Sequence, residues 1–285
     1  MEQSSKNKSS NLGLTFHRAF SLNRPAIKQV LDLANRESDD SGERSKLTPK
    51  EISENTSLGT VYVQSMPLWA IGSGLLNHRK LPTLFGKYAH LNDSLLEHIG
   101  TQWLMHYFLC NPHGAGPKFW HDISSKLFYS GNIFSSDDVF EHIGNFVWKN
   151  EDRVPKRRDI QSTTAVFLGT YTKTEGLNKL RLLETTSSGL FLVNEPKVAP
   201  VWAVAYALLD FWESHFQDRL SIGLDTLQES CLKGIFLIGK SSFLEMLDVL
   251  QENRVIDIHR TAPPHQVFLL RRDREMLLQN LYGIS

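Results

Sequence analysis

Residues 47–76 read LTPKEISENTSLGTVYVQSMPLWAIGSGLL, and the fold turns on how this stretch is read. Thr48 can cap the first amides of a helix, Pro49 suits the first helical position, and Glu51 falls where a capping box takes its acid. A short helix through Glu54 is followed by a turn over 57–59. A longer helix then carries Val61, Val63, Met66, Leu68, Trp69 and Ile71 until Gly74 stops it. Short capped helix, tight turn and longer helix make a helix-turn-helix signature. Leu75 and Leu76 lead into 81–91, which is long enough for the small hairpin of a winged helix. An ordinary helical hairpin in a larger α-domain is the other reading of the same residues.

Upstream, 25–35 (PAIKQVLDLAN) places Ile27, Val30, Leu31 and Ala34 at helical spacing, as the first helix of the winged unit. The polar 1–11 reads as a disordered tail, and 37–46 (ESDDSGERSK) as a charged loop. Downstream, helical runs are expected over 95–109, 117–128, 137–148 and 154–173, the last starting at Pro155. Two short strands, 180–184 and 189–193, flank TTSS. The last region repeats the opening order: a long apolar helix 198–216, a short helix 224–230, and a longer helix 241–253 with Ser242 and Glu245 in capping-box spacing. Paired strands 255–259 and 266–270 then surround TAPPH. The expected class is mainly α (α+β). It comprises an N-terminal winged helix-turn-helix domain (12–92), a central helical region (93–197) and a C-terminal winged-helix-like region with short β-hairpins (198–285).

At 285 residues the chain has ample length for a core. Its 31 acidic and 31 basic residues exclude a bulk electrostatic attraction to nucleic acid, so any anion site must be a local patch. Cys110 and Cys231 are far apart and form no zinc spacing, which fits a reducing compartment. The N-terminus lacks an apolar signal core, and the most apolar window, 198–212, is too short for a bilayer and contains Asp210. A cytoplasmic location is expected.

The longer helix of 47–76 offers Thr60, Tyr62, Gln64 and Ser65 as polar groups at its exposed start, suited to base edges or phosphates. Basic residues come only later, with Arg79, Lys80 and Lys87, and Pro67 should kink the helix near Val63. Many winged helices bind protein instead. Lys156, Arg157 and Arg158 follow Pro155 at a predicted helix start, where cations oppose the macrodipole unless an anion such as DNA phosphate is bound. The alternative is a solvated face or ion pairing to Glu151, Asp152 and Asp159. Nuclease chemistry needs an activated water, usually with carboxylates around a metal. Glu184 and the Glu195-Pro196-Lys197 run loosely match the acid and Glu-x-Lys pattern of restriction-type nucleases. Asp159, Asp210, Glu213 and Tyr171 are polar groups in largely apolar helices, where structural pairing is the alternative to catalysis. His106, His113 and His121 show no ligand motif, and phosphate loops and nucleophile elbows are absent.

Six segments occur in order along nearly the whole chain: LTFHRAFSLN (14–23), LGTVYVQSMPLWAIGSGLL (58–76), LPTLFGKYAHLNDSLLEHIGTQWLMHYFL (81–109), RRDIQSTTAVFLGTY (157–171), ALLDFWE (207–213) and IFLIGKSSFLEMLDVL (235–250). The series resembles the bacterial family of unknown-function domains that includes SspB, the DNA-nicking subunit of single-strand DNA phosphorothioation systems. The match is one of pattern and order, with no single diagnostic motif. It implies a DNA-binding nickase of an anti-phage defence system, acting beside SspA-, SspC- and SspD-like proteins. It gives fold roles to Ser65, Trp69, Gly74 and Leu75 and a functional one to Asp159. Nicking would draw on a divalent metal such as Mg or Mn, with Asp159, Glu184, Glu195 and Asp210 as candidate catalytic carboxylates. The rival is a non-catalytic DNA- or protein-binding subunit that positions the other enzymes, and a homodimer fits either reading.

Overall fold

A computed structural model of the chain describes residues 12–36, 47–150, 154–196, 200–261 and 263–284. The expected tail 1–11 and loop 37–46 lie outside the described residues. Helices dominate, with two small antiparallel sheets.

α1 (Arg24–Ala34) starts where the Asn23 side chain accepts from the Ala26 amide, with Pro25 in the first turn. α2 (Pro49–Asn55) carries the expected capping box: the Thr48 hydroxyl accepts from the Glu51 amide at 3.1 Å, and Glu51 accepts from the Thr48 amide at 3.5 Å. After a turn comes α3 (Thr60–Gly72), so 47–76 is helix, turn, helix as read. Beyond Gln64, however, α3 has no polar face, and a helix apolar all round is a buried one. Val63, Met66, Trp69, Ala70 and Ile71 are all in the core. The Trp69 indole donates to the Phe20 carbonyl at 3.0 Å and packs edge-on against Phe16 and Trp120. α3 is a central strut with only its first turn outward.

Residues 81–91 do not form the expected hairpin. A single bridge, Leu76 to Pro82, precedes α4 (Leu84–Asn92), whose cap is the Thr83 hydroxyl accepting from the Gly86 amide. Gly86 lies flush on the preceding turn, since a Cβ there would stand 2.0 Å from the Leu75 carbonyl oxygen. α5 (Ile99–Cys110) starts later than read, because the Asp93 carboxylate accepts from the Glu97 and His98 amides, each at 2.8 Å, and folds 93–98 into a turn.

α6 (Lys118–Leu127), β1 (Ile133–Phe134), α7 (Ser136–Asn150) and α8 (Arg157–Thr172) follow, then a 3-10 turn at Asn178–Leu180. β2 (Leu183–Thr185) and β3 (Phe191–Val193) form the expected hairpin, with Glu184 opposite Leu192. β1, a strand with no counterpart in the sequence reading, pairs on the other edge of β3.

α9 (Val201–Phe216) leads into β4 (Ser221–Gly223), α10 (Leu224–Gln228), α11 (Cys231–Ile235), α12 (Lys240–Glu252), β5 (Ile256–His259), β6 (Gln266–Leu269) and α13 (Arg274–Tyr282). The sheet order is β4-β6-β5. α12 starts after Gly239 with no side-chain cap, so the box expected from Ser242 and Glu245 is not formed. α13 starts at Asp273, whose carboxylate accepts from the Glu275 and Met276 amides, and ends at left-handed Gly283. It packs along α9 and reaches back to α4 and α5. Tyr282 and Thr101 share a hydrogen bond of 2.9 Å, and Leu281 fills the notch left by Gly100. No helix among the described residues is long and apolar enough to cross a membrane.

Candidate functional site

α8 begins with Lys156 as its capping residue rather than at Pro155, and no side chain caps it. Lys156, Arg157 and Arg158 are all exposed. None of the three is in an ion pair with a described residue, and the suggested partners Glu151 and Asp152 lie outside the described residues. The Arg157 guanidinium sits over the Phe140 ring of α7, 5.4 Å from its centroid. Asp159 is half-buried at the third helical position, and its backbone carbonyl accepts from the Thr163 hydroxyl at 2.8 Å.

Behind this turn lies His17. Its Nδ1 accepts from the Ala19 amide at 3.0 Å, so the ring proton is on Nε2, which donates to the Thr163 hydroxyl at 3.0 Å. Burial pushes the imidazole down to about 4, while the Leu14 backbone and the Asp159 charge pull weakly the other way. His17 is a neutral fixture that holds the start of the chain to α8.

A second candidate is a cavity of about 470 Å³ between 71–84, α5, α9 and α13, walled by Phe108, Asn111, His113, Tyr206, Asp210 and Arg274. Asp210 accepts from the Tyr107 hydroxyl at 2.9 Å, from Asn111 at 3.4 Å and from both terminal nitrogens of Arg274 at 3.1 Å. Arg274 also donates to Glu213 at 3.1 and 2.5 Å, and its guanidinium lies 5.3 Å over the Tyr206 ring. Burial alone would lower the guanidinium, but Tyr206, Glu213 and Asp210 outweigh it and hold Arg274 above its ordinary value. Burial, then the Asp210 charge, pushes the Tyr107 phenol well up, so it stays a neutral donor. A carboxylate has about four acceptor sites, and four donors fill those of Asp210. At the rim the His113 and His215 rings meet edge to face at 4.4 Å, and desolvation, then His215, lowers His113.

The remaining sequence candidates are scattered. Thr60 and Gln64 are exposed on the first turn of α3, and Tyr62 is half-buried against Phe20. Ser65, expected on the exposed start, is fully buried and its hydroxyl donates to the Val61 carbonyl at 3.0 Å. Arg79 and Lys87 are exposed, whereas the Lys80 ammonium donates to the Leu47 carbonyl at 2.8 Å. Glu184 on β2 and Glu195 beyond β3 are exposed, and Lys197 lies outside the described residues. Among the described residues no group of three or more His, Cys, Asp or Glu is placed to hold a metal. Burial pushes the Cys110 and Cys231 thiols up to about 12 and about 11, so neither is a ready nucleophile. Sequence reading missed Arg274, although Asp273 before the helical spacing of REMLLQNLY and Gly283 after it mark that helix plainly.

A family model described as "Protein of unknown function (DUF4007)" matches residues 15–282. Two solved structures are similar. The crystal structure of magnesium ion-bound SspB aligns with a TM-score of 0.73 at 18% identity, over 96% of this chain and 88% of that chain. An SspB crystal structure aligns with a TM-score of 0.72 at 17% identity, with the same coverages of 96% and 88%. At such identity the likeness is one of fold. No curated protein is a significant match. With the family model spanning nearly every described residue, the chain belongs to the DUF4007 family.

Proposed function

We propose that the chain is a DNA-binding subunit of a phosphorothioation system of the SspB kind, working beside SspA-, SspC- and SspD-like enzymes. One observation carries the DNA contact. Lys156, Arg157 and Arg158 stand exposed at the uncapped start of α8, without a described carboxylate partner. Three cations there oppose the helix macrodipole, and a phosphate reverses the sign of that interaction. α9, β4, α10–α11, α12, β5 and β6, with sheet order β4-β6-β5, fit a winged helix read from helix to wing. Its α12 carries Glu245 rather than a basic face, so this unit suits a protein partner. At the other end, α2 and the first turn of α3 present Thr60 and Gln64 as the polar pair for a groove.

Strand nicking is the second reading, favoured by the likeness to a magnesium ion-bound structure. Mg²⁺ takes oxygen ligands in near-octahedral array, commonly one or two carboxylates with waters. The described residues do not fit it well. Asp210 is filled by its donors, Glu213 shares Arg274, and Asp159, Glu184 and Glu195 sit on separate elements. No catalytic step is assigned to them.

Binding of a duplex measured across salt tests the first reading. With Lys156, Arg157 and Arg158 all changed to Ala, the log K against log salt slope should become shallower by roughly 0.9 for each phosphate no longer neutralised. An unchanged slope makes the three a solvated face. Supercoiled plasmid separates the second: relaxation in Mg²⁺ that stops with chelator establishes nicking, and plasmid that stays closed leaves the binding role alone.

A further inference from the structure

The α7–α8 edge carries a feature that a grip on duplex phosphates does not use. Of the six tryptophans, Trp69, Trp103, Trp120 and Trp212 are fully buried and Trp202 is half-buried. Trp148, near the end of α7, leaves 69% of its surface in solvent. Phe140, Gly144 and Trp148 are four residues apart and share one face of α7, with the two rings' positions roughly 12 Å apart along the axis. That face is turned to α8, since a Cβ on Gly144 would meet Ile160 at 3.6 Å. Phe140 lies under the Arg157 guanidinium, and beyond it a groove of about 350 Å³ is walled by Ser136, Asp137, Gln161 and Thr164 among others. Thr164 is 6% exposed and its hydroxyl has no hydrogen-bond partner among the described residues. Neighbouring Thr163, Thr170 and Thr172 each donate to the carbonyl four residues back, so Thr164 is the exception on this helix.

Charge is lopsided in the sequence that joins the two helices. Between Trp148 and Arg158 the sequence holds five cations and two acids. Asp137 and Arg157 both line the groove and offset one another there, so the net positive charge lies outside it. An exposed indole two turns along α7 from an aromatic-floored groove, with cations at the start of the facing helix, matches how unpaired nucleotides are held: bases stack on rings while the backbone follows positive charge. A duplex keeps its base faces stacked inside and gains nothing from Trp148.

We propose that this edge is a platform for single-stranded nucleic acid. One base stacks on Trp148, a base one or two nucleotides along enters the groove past Phe140 to meet Gln161 and lie against Thr164, and Lys156, Arg157 and Arg158 take the phosphates between them. The proposal rests on the DNA-binding reading above and adds strandedness to it.

The full chain is titrated with labelled oligo-dT and with a duplex of the same length, following anisotropy and tryptophan emission together. Oligo-dT should quench the exposed indole. Trp148→Ala should abolish that quench and weaken oligo-dT binding about 5- to 150-fold, the effect of removing one base stack, with duplex binding unchanged. Trp148→Phe keeps a ring and should restore most of the affinity, and an unaltered melting temperature in both variants shows that they fold. If Trp148→Ala binds oligo-dT like wild type, or loses duplex and single strand equally, the platform is overturned and the DNA-binding reading stands. If wild type binds neither probe, both readings fall.

Discussion

Acid should unfold this protein through two buried histidines that must stay neutral. His106 is fully buried, its Nε2 lies 2.8 Å from the Ile235 carbonyl and its Nδ1 lies 3.0 Å from the Tyr171 hydroxyl. A carbonyl only accepts, so the ring proton is on Nε2 and Nδ1 accepts from Tyr171, which in turn accepts from the Trp120 indole at 2.8 Å. A second ring proton would force the Tyr171 hydroxyl to turn away with no good acceptor left. Burial pushes His106 down to about 4, and His17 to about 4 for the same reason. Both folded values lie below the free-imidazole value of about 6.5, so the unfolded chain takes up protons first. Stability is therefore complete above that value and is lost as pH falls towards 4. Integrating the proton uptake gives about 2 kcal/mol per histidine between pH 7 and pH 5, hence about 4 for the pair. Urea unfolding at several pH values in that window reads it directly, above the range where ordinary carboxylates titrate. His106→Gln should lower stability at pH 7 yet flatten the pH dependence by about half. Equal stability at pH 7 and pH 5, or an unchanged slope in the variant, would refute the reasoning.

Two further outcomes follow from the packing. Arg274→Met leaves Asp210 and Glu213 as neighbouring carboxylates without their cation. Because the arginine side chain keeps 28% of its surface in solvent, the loss should fall below the fully buried case, at about 2 kcal/mol in urea unfolding. Gly74→Ala puts a side chain at φ +76°, with a Phe108 ring carbon 2.2 Å from the new Cβ, and should cost about 3 kcal/mol in thermal unfolding. A loss under about 0.5 kcal/mol in either case would mean that the surroundings relax freely.

Helix positions are largely legible in the sequence because apolar spacing decides which face of a helix is buried. α6, α7, α9 and α12 lie within a few residues of their expected spans. The hairpin at Glu184 and Leu192 is legible from the turn between two apolar runs. β1 and β4 are not, since strands of two and three residues exist only through pairing with β3 and β6. The burial of Ser65 can be read from the apolar run that follows it on α3, which leaves no solvent face. The cation run at the start of α8 is plain in the sequence. The cavity around Asp210 is not, because Tyr107 and Arg274 stand 103 and 64 residues from Asp210 and only the packed fold joins them. Trp148 stands one residue past the buried line of Val139, Ile143 and Val147 on α7, and the extent of its exposure shows only in the packed molecule.

The placement of α13 also governs the order in which the molecule can be assembled. Gln279 meets Tyr88 across 191 residues, Tyr282 meets Thr101 across 181, and Arg274 meets Glu213 across 61. The first two close the largest loops, so chain entropy delays them until nearer contacts have formed. The hairpin of 183–193 and the α7–α8 pair involve short closures and can form early. The cavity itself needs two closures, 103 residues for Tyr107 with Asp210 and 64 for Arg274 with Asp210, so the 470 Å³ space exists only once α5, α9 and α13 have all met. A ligand held in that space would bind the folded chain and not the unfolded one, and would stabilise the fold by mass action.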